Sequence, residues 1–285
     1  MIQTRRDFAK WAIAAAPLSA AFAKVPAGSK FNGVMVGAQS YSFRDRPLDE
    51  AIAAMKQVGI GYTELWQGHL EPKDKDALKI WREKPPMAEL QGVRKKFDAA
   101  GIVIYAFNYS FRENFTEHEI ENGFKIAEAL GVKRITASAN VTTSARIDPY
   151  AVKYRTVVAM HNHDSMKNNE FSTPDDFARS MAGRSKYIKI NLDIGHFTAA
   201  NLDPVEFLKA HHKDIVTLHI KDRKKDHGAN MSFGEGDTNI KGVLQLLKTQ
   251  HYPIPAMIEY EYGKPGMDSI AEVKKSFEFI KQALA

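Results

Sequence analysis

Ile188-Lys189-Ile190-Asn191-Leu192-Asp193-Ile194-Gly195-His196 and Ile215-Val216-Thr217-Leu218-His219-Ile220-Lys221-Asp222-Arg223 are the two stretches on which the reading of the fold turns. Each starts as a β-branched apolar run and finishes on residues that carry chemistry. Runs of this kind, apolar without strict alternation, suit strands buried on both faces, as parallel strands under helices are. Six more such runs are found by working outward. Together the eight predicted strands are Val34–Tyr41, Gly61–Trp66, Ile102–Asn108, Arg134–Asn140, Thr156–His161, Ile188–Asp193, Ile215–Ile220 and Ile254–Glu261. Amphipathic stretches lie between them: Leu48–Val58, Met87–Ala100, Glu117–Leu130, Pro204–His212, Ile240–Thr249 and Ser269–Leu284. Strict strand–helix alternation means parallel strands with crossover helices, and eight units mean a closed (β/α)8 TIM barrel. A doubly wound open sheet is the runner-up, but no glycine-rich dinucleotide turn follows the first strand.

Helix ends carry their own signals. Thr173-Pro174-Asp175-Asp176 and Asp203-Pro204-Val205-Glu206 each put a capping residue before a first-turn proline. Gly59, Gly101 and Gly131 stand where a helix C-terminus needs a left-handed residue. The fourth crossover, Val141–Arg155, is the weakest unit and leaves little room for a helix. Gly234-Glu235-Gly236-Asp237 is read as a turn, with Asp237 or Thr238 capping the next helix, in preference to a phosphate cradle.

The length of 285 residues fits one barrel, and 44% hydrophobic with 26% charged residues supplies both a core and a polar surface. A formal charge of +6, part of it from Arg5, Arg6 and Lys10, gives no argument for a nucleic-acid partner. Thr4-Arg5-Arg6-Asp7-Phe8-Ala9-Lys10, followed by an apolar run to Ala23, resembles a twin-arginine export signal. Ala21-Phe22-Ala23 resembles its cleavage site. The expectation is therefore a signal over residues 1–23, a single catalytic domain over 24–285, and a periplasmic location without stable membrane insertion after cleavage. The absence of cysteine fits an oxidising compartment and leaves only His, Asp and Glu to hold a metal.

In a barrel of this kind the C-terminal strand ends and the loops after them form the active-site face. The second strand ends Glu64-Leu65-Trp66, with His69 close behind. The fifth ends His161-Asn162-His163-Asp164, the sixth Asp193-Ile194-Gly195-His196, the seventh His219-Ile220-Lys221-Asp222-Arg223, and the eighth Glu259-Tyr260-Glu261. A lone His or Asp at a strand end is usually a hydrogen-bonded or capping residue. Four successive strands delivering such groups to one mouth point instead to a shared metal or catalytic site, because clustered unpaired charges are costly. Residues two apart on a strand share a face, so His161 and His163 both point inward, as do Glu259 and Glu261. Oxygen and imidazole donors suit manganese, zinc, cobalt, magnesium or iron. Tyr41, Phe43, Trp66, Phe107 and Tyr109 cluster near the early strand ends; some are expected to stack on a sugar ring and at least half to pack the core.

The strings GVMVGAQSYSFR, GYTELW, AMHNHD, NLDIGH, TLHIKD, GEGDTNI and MIEYE resemble the xylose isomerase-like TIM-barrel superfamily, from about Gly33 to the C-terminus. The resemblance implies a divalent metal on His161 (or His163), Asp193, His219 and Glu259. It also implies substrate contacts from His196, Lys221 and Arg223, joined here by Trp66 and His69, and an acidic position at Glu64. One departure stands out. Relatives that isomerise or epimerise commonly place Glu on the fifth strand, where this chain has His-Asn-His, so a two-glutamate mechanism does not transfer unchanged. The chemistry expected is proton abstraction next to the carbonyl of an unphosphorylated or keto sugar, with Glu259, His163 or His161, and less favourably Glu261 or Glu64, as the base. Depending on the leaving group, the outcome is isomerisation, epimerisation or elimination, as in a 3-keto-glycoside lyase. An apurinic endonuclease or a non-catalytic carbohydrate-binding barrel are the readings from other classes. A homo-oligomer is expected from the family's habit of pairing through active-site loops.

Overall fold

The computed structural model describes residues 29–263 and 266–285; the twin-arginine-like segment lies outside the described residues. Eight parallel strands form a closed barrel: β1 Val34–Gln39, β2 Tyr62–Trp66, β3 Val103–Asn108, β4 Arg134–Ala137, β5 Val157–His161, β6 Ile188–Asp193, β7 Ile215–Ile220 and β8 Ala256–Ile258. Closure is direct, because β1 pairs with β8 through Val36 and Ala256 and with β2 through Gln39 and Glu64. An open doubly wound sheet is thereby excluded. Residues 30–31 add a short antiparallel strand to β1, and Asp222–Arg223 pairs with Asn230–Met231 in a hairpin above β7.

The crossovers carry α1 Leu48–Val58, α2 Lys75–Glu83, α3 Met87–Ala100, α4 Glu117–Ala129, α5 Ser144–Tyr154, α6 Pro174–Met181, α7 Ile194–Ala199, α8 Pro204–His211, α9 Ile240–Thr249 and α10 Ser269–Leu284. Their buried faces close over the barrel through aromatic residues such as Phe97, Phe124, Phe177 and Phe207. No helix among the described residues is long and apolar enough to cross a membrane.

The capping signals are used as the sequence suggests. Gly59 and Gly101 end α1 and α3 at φ +97° and +74°, a region that costs other residues strain. Thr173 and Asp176 form a capping box on α6, and Asp203 accepts hydrogen bonds from the Val205 and Glu206 amides at the start of α8. Two expectations are corrected. The fourth crossover holds a full helix, α5, entered through a 3-10 turn at Val141–Thr143 and continuing through Pro149. The cap of α9 is Asn239, whose side chain accepts from the Gly242 amide, and neither Asp237 nor Thr238.

Candidate metal and active site

The upper interior of the barrel is polar. Glu64, Thr136, Asn191, Asp193 and His219 are all fully or almost fully buried. At this level one ligand atom from each of His161, Asp193, His219 and Glu259 falls within 4.8 Å of the other three. The strands set this convergence. His161 ends β5, Asp193 ends β6 and faces His219 of β7 in register, and Glu259 follows β8 directly. Asn162 locks two of these ends together: its carbonyl oxygen accepts from the Asp193 amide at 2.9 Å, and its own amide donates to the Asp193 carbonyl at 3.1 Å.

Several atoms of the set are aimed into the cluster and lack a good hydrogen bond. His161 Nε2 has none among the described residues, and Asp193 Oδ2, 3.5 Å from it, is met by the Lys221 ammonium at 3.1 Å without a well-aligned hydrogen bond. Asp193 divides its labour, since Oδ1 caps α7 by accepting from the His196 amide at 2.7 Å and leaves Oδ2 facing the cluster. His219 is divided too. Its Nε2–H donates to Glu64 Oε2 at 2.9 Å, which turns Nδ1 toward Glu259 at 3.1 Å and Asp193 at 3.9 Å. A carboxylate behind an imidazole is the usual second partner of a metal-binding histidine. Two imidazoles, two carboxylates and no thiolate make a donor set that fits a divalent ion of the manganese, zinc, cobalt or magnesium kind.

Lys221 lies against this set. Its ammonium is 3.1 Å from Asp193, 2.8 Å from Glu259 and 2.6 Å from Glu261, and it is almost wholly buried. Burial opposes ionisation of Asp193 and Glu259. The Lys221 charge outweighs it, helped by His196 at Asp193 and His219 at Glu259, and both carboxyls are held well below the usual range. Burial likewise opposes a charge on His219, but Glu64 and Glu259 on either side raise its pKa well above an ordinary histidine. His163 behaves oppositely. Burial, then the nearby His161, His196 and Lys221, push it down to about 3, so it is a neutral imidazole at neutral pH.

Above the set opens a polar cavity of about 390 Å³. His161, His163, His196, His219, Lys221, Glu259 and Glu261 reach its wall from the residues expected by sequence, and Trp66 and Tyr41 form an aromatic side. Phe43, Phe107 and Tyr109 are core residues instead. Four of the expected site residues stand behind the wall, Asp193 among them as the fully buried member of the four-residue set. Glu64 is enclosed behind His219, with Thr136 Oγ1 donating to it at 2.7 Å. His69 bonds Ser40 Oγ and packs edge-on against Trp66. Arg223 spans Asp164 at 2.7 Å, His196 Nδ1 at 2.7 Å and the Gly228 carbonyl.

Gln39, Asn108, Ser110, Arg112 and Ser138 also line the cavity and were not singled out by sequence. Their signal was weak, since Ser110 and Ser138 are ordinary turn formers after a strand, Gln39 and Asn108 are neutral strand ends, and Arg112 is a lone loop cation. The glycine-rich loop at Gly234–Asp237 proves to be an anion cradle filled from within. Asp222 accepts amide hydrogen bonds from Gly234 (2.8 Å), Gly236 (3.0 Å) and Thr238 (3.2 Å).

Known proteins resemble this chain in sequence and in fold. The chain is 26% identical over 208 residues to L-ribulose-5-phosphate 3-epimerase UlaE of Escherichia coli, covering 73% of this chain and 64% of that protein. It therefore spans under two thirds of the length of the curated relatives it matches. A structure of an uncharacterised protein from Parabacteroides distasonis is 25% identical with a TM-score of 0.64, over 88% of this chain and 99% of the other. The apo structure of 3-keto-D-glucoside 4-epimerase YcjR from E. coli shares the fold at 13% identity and a TM-score of 0.66, over 87% and 98% of the two chains. With residues 52–283 matching the family described as xylose isomerase-like TIM barrel, and with its eight parallel strands closed on themselves, the chain belongs to that family.

Proposed function

We propose that this protein is a metal-dependent sugar isomerase or epimerase that removes a proton next to the carbonyl of an unphosphorylated or keto sugar, after export by the twin-arginine route. The observation that carries the reading is the buried His161, Asp193, His219 and Glu259 set, three of whose members line a polar cavity. Relatedness to an L-ribulose-5-phosphate 3-epimerase supports the class. An unphosphorylated substrate is preferred to that relative's because sugar phosphates are chiefly cytoplasmic and export is expected, and the Gly234–Asp237 loop spends its amides on Asp222. The paired arginines and apolar run at the N-terminus support export.

A divalent ion on the four residues would polarise a carbonyl and its neighbouring oxygen and so acidify the C–H between them. The chain's own groups supply the rest. His163 faces the cavity and stands outside the four-residue set, so its imidazole is placed to take the proton from a C–H that the ion would acidify; the low basicity of this buried ring makes that acidification essential. Lys221 and Glu261, bonded at 2.6 Å, orient substrate hydroxyls and neutralise developing charge beside that base. A proton delivered to the opposite face of the same carbon gives epimerisation, one delivered to the former carbonyl carbon gives isomerisation, and a leaving group on the next carbon turns the same proton removal into elimination.

The test is metal content together with solvent exchange. Purified protein is compared with the His219→Ala, Glu259→Ala double variant by elemental analysis, and keto sugars are followed by NMR in heavy water. Near-stoichiometric metal lost in the double variant, with deuterium entering next to the carbonyl only with the parent, is the expected result. A parent that takes up no supplied divalent ion, or that holds one and exchanges no keto sugar, would leave a carbohydrate-binding barrel as the better reading.

A further inference from the structure

A second cavity of about 440 Å³ adjoins the first, and Arg112, Ser138 and His163 line both. Its own wall comes from the loops after β4 and β5, including Asn140, Ser165 and Phe171. These loops are stitched to the loop after β3. Asn169, at φ +71°, accepts from the Val141 amide through its carbonyl and from the Thr142 amide through its side chain. Its side-chain amide donates to Glu113 Oε1 and Thr142 Oγ1. The rim is thus built by three crossovers and is preformed.

The first cavity, near the lower end of the roughly 300–1,000 Å³ range of ligand pockets, holds one sugar ring over the four-residue set. Among the described residues the second cavity has no comparable ligand set, so it offers room for a non-reacting group. Its charged side chains largely cancel, Lys167 lying 4.0 Å from Glu170, which favours a hydroxyl-rich, uncharged unit. Asn140 and Ser165 offer amide and hydroxyl groups, and Phe171 offers an aromatic patch. Asp164 is already neutralised by Arg223 at 2.7 Å and His196 at 3.2 Å. Arg112 makes no side-chain hydrogen bond or ion pair among the described residues and lines both cavities, so it stands at their junction with its donors unused.

We infer that the substrate has two rings: a glycoside, in the first instance a disaccharide, whose oxidised ring lies over the four-residue set while its second, neutral sugar fills the cavity beyond Arg112, Ser138 and His163. This deepens the proposed function and rests on it for the reacting ring. Contacts to a non-reacting ring speed the chemical step as well as binding, so truncated substrates lose turnover.

The experiment compares heavy-water exchange into methyl 3-ketoglucoside and 3-ketomaltose, with saturation-transfer NMR of plain maltose as a readout that needs no turnover. Two obstructing variants are used, Ser165→Trp and, because Lys167 is exposed enough to accept any side chain, Lys167→Trp. The expected result is a kcat/KM at least tenfold higher for the two-ring sugar, reduced to the one-ring value in at least one folded variant that leaves methyl 3-ketoglucoside unchanged. Equal kcat/KM for both sugars, unaltered by either variant, overturns the inference and leaves proton abstraction standing. If neither sugar exchanges, proton abstraction fails, and maltose then decides the cavity alone: protein contacts to both rings, lost for one ring in the variants, support it, and their absence overturns it. Stronger binding of glucose 6-phosphate than of maltose also overturns it, since Arg112 would then serve a phosphate.

Discussion

Glu64 Oε2 lies 2.9 Å from His219 Nε2, on the opposite edge of the ring from the Nδ1 that faces Asp193 and Glu259. The carboxylate itself is held by Thr136 Oγ1 at 2.7 Å and Gln39 Nε2 at 3.3 Å, so its position is fixed by β1 and β4 rather than by the ring it serves. Glu64 therefore acts through His219: it decides which nitrogen carries the proton and which presents a lone pair to a metal. Glu64→Gln is expected to weaken divalent-metal affinity about 10–100-fold while the barrel stays folded. A chelator-competition titration on parent and variant measures it, and equal affinities would show that Glu64 does not set the tautomer.

Lys221 is the counterion of the carboxylates when no metal compensates them. Removing it leaves Asp193 and Glu259 buried beside one another without their main neutralising charge. Breaking a buried pair in this way costs about 3–5 kcal/mol. Lys221→Met is expected to lower the melting temperature in chelator by many degrees, and manganese should raise it by more than it raises the parent's, since the ion replaces the lost charge. Scanning calorimetry with and without metal gives both numbers. Identical shifts in the two proteins would mean that Lys221 and the ion do not share those carboxylates.

The charged part of this site was legible because the barrel rule turns strand ends into a surface. β6 and β7 were readable to the residue, Ile188–Asp193 and Ile215–Ile220, and once their ends are known Asp193 and His219 must meet. What escaped has physical reasons. α2 buries no residue, so it leaves no apolar stripe to read, and α5 hides behind Pro149, which reads as a breaker. Period two placed His161 and His163 on one face and could not rank them; the stagger of neighbouring strands puts only His161 in the four-residue set. The separation of Glu64 from the cavity wall depends on the ring of His219 standing between, which no one-dimensional pattern encodes. The second cavity depends on Asn169 tying three distant loops, and each of its bonds spans about 30 residues or more of chain or lies in a turn without periodicity.

Gly236 has no room for a side chain. A Cβ there would meet Asp222 Oδ1 at 1.9 Å, and Asp222 is the residue that gathers the amides of Gly234, Gly236 and Thr238. Gly236→Ala must displace a buried carboxylate from its donors, at a cost of about 1–3 kcal/mol. Asp222 lies between Lys221 and Arg223, so both should shift. Urea denaturation is expected to show the stability loss, and limited proteolysis should find residues 232–239 newly accessible. An unchanged midpoint with unchanged protection would show that the loop does not depend on Asp222.

Asp176 ties the loop that walls the second cavity to α6. Its Oδ2 accepts from the Ser172 amide at 3.1 Å, the Thr173 amide at 2.8 Å and the Thr173 hydroxyl at 2.7 Å, and Oδ1 meets Arg179. Burial works against its ionisation, but the Thr173 bonds, Arg179 and the Ser172 amide outweigh it, and its pKa is lowered in the folded protein. A carboxyl with a depressed folded pKa stabilises the protein above its unfolded pKa of about 3.9 and loses that contribution as pH falls through the folded value. Asp176→Ala is expected to cost about 1–2 kcal/mol at pH 7, the worth of a strong cap. The gap to the parent should hold steady down to about pH 4 and narrow below it, as the parent's own carboxyl takes up a proton. Urea midpoints taken from pH 7 to the lowest pH at which the parent folds measure the trend. A gap that widened on acidification would mean that the neutral acid, rather than the carboxylate, holds the Ser172–Thr173 turn.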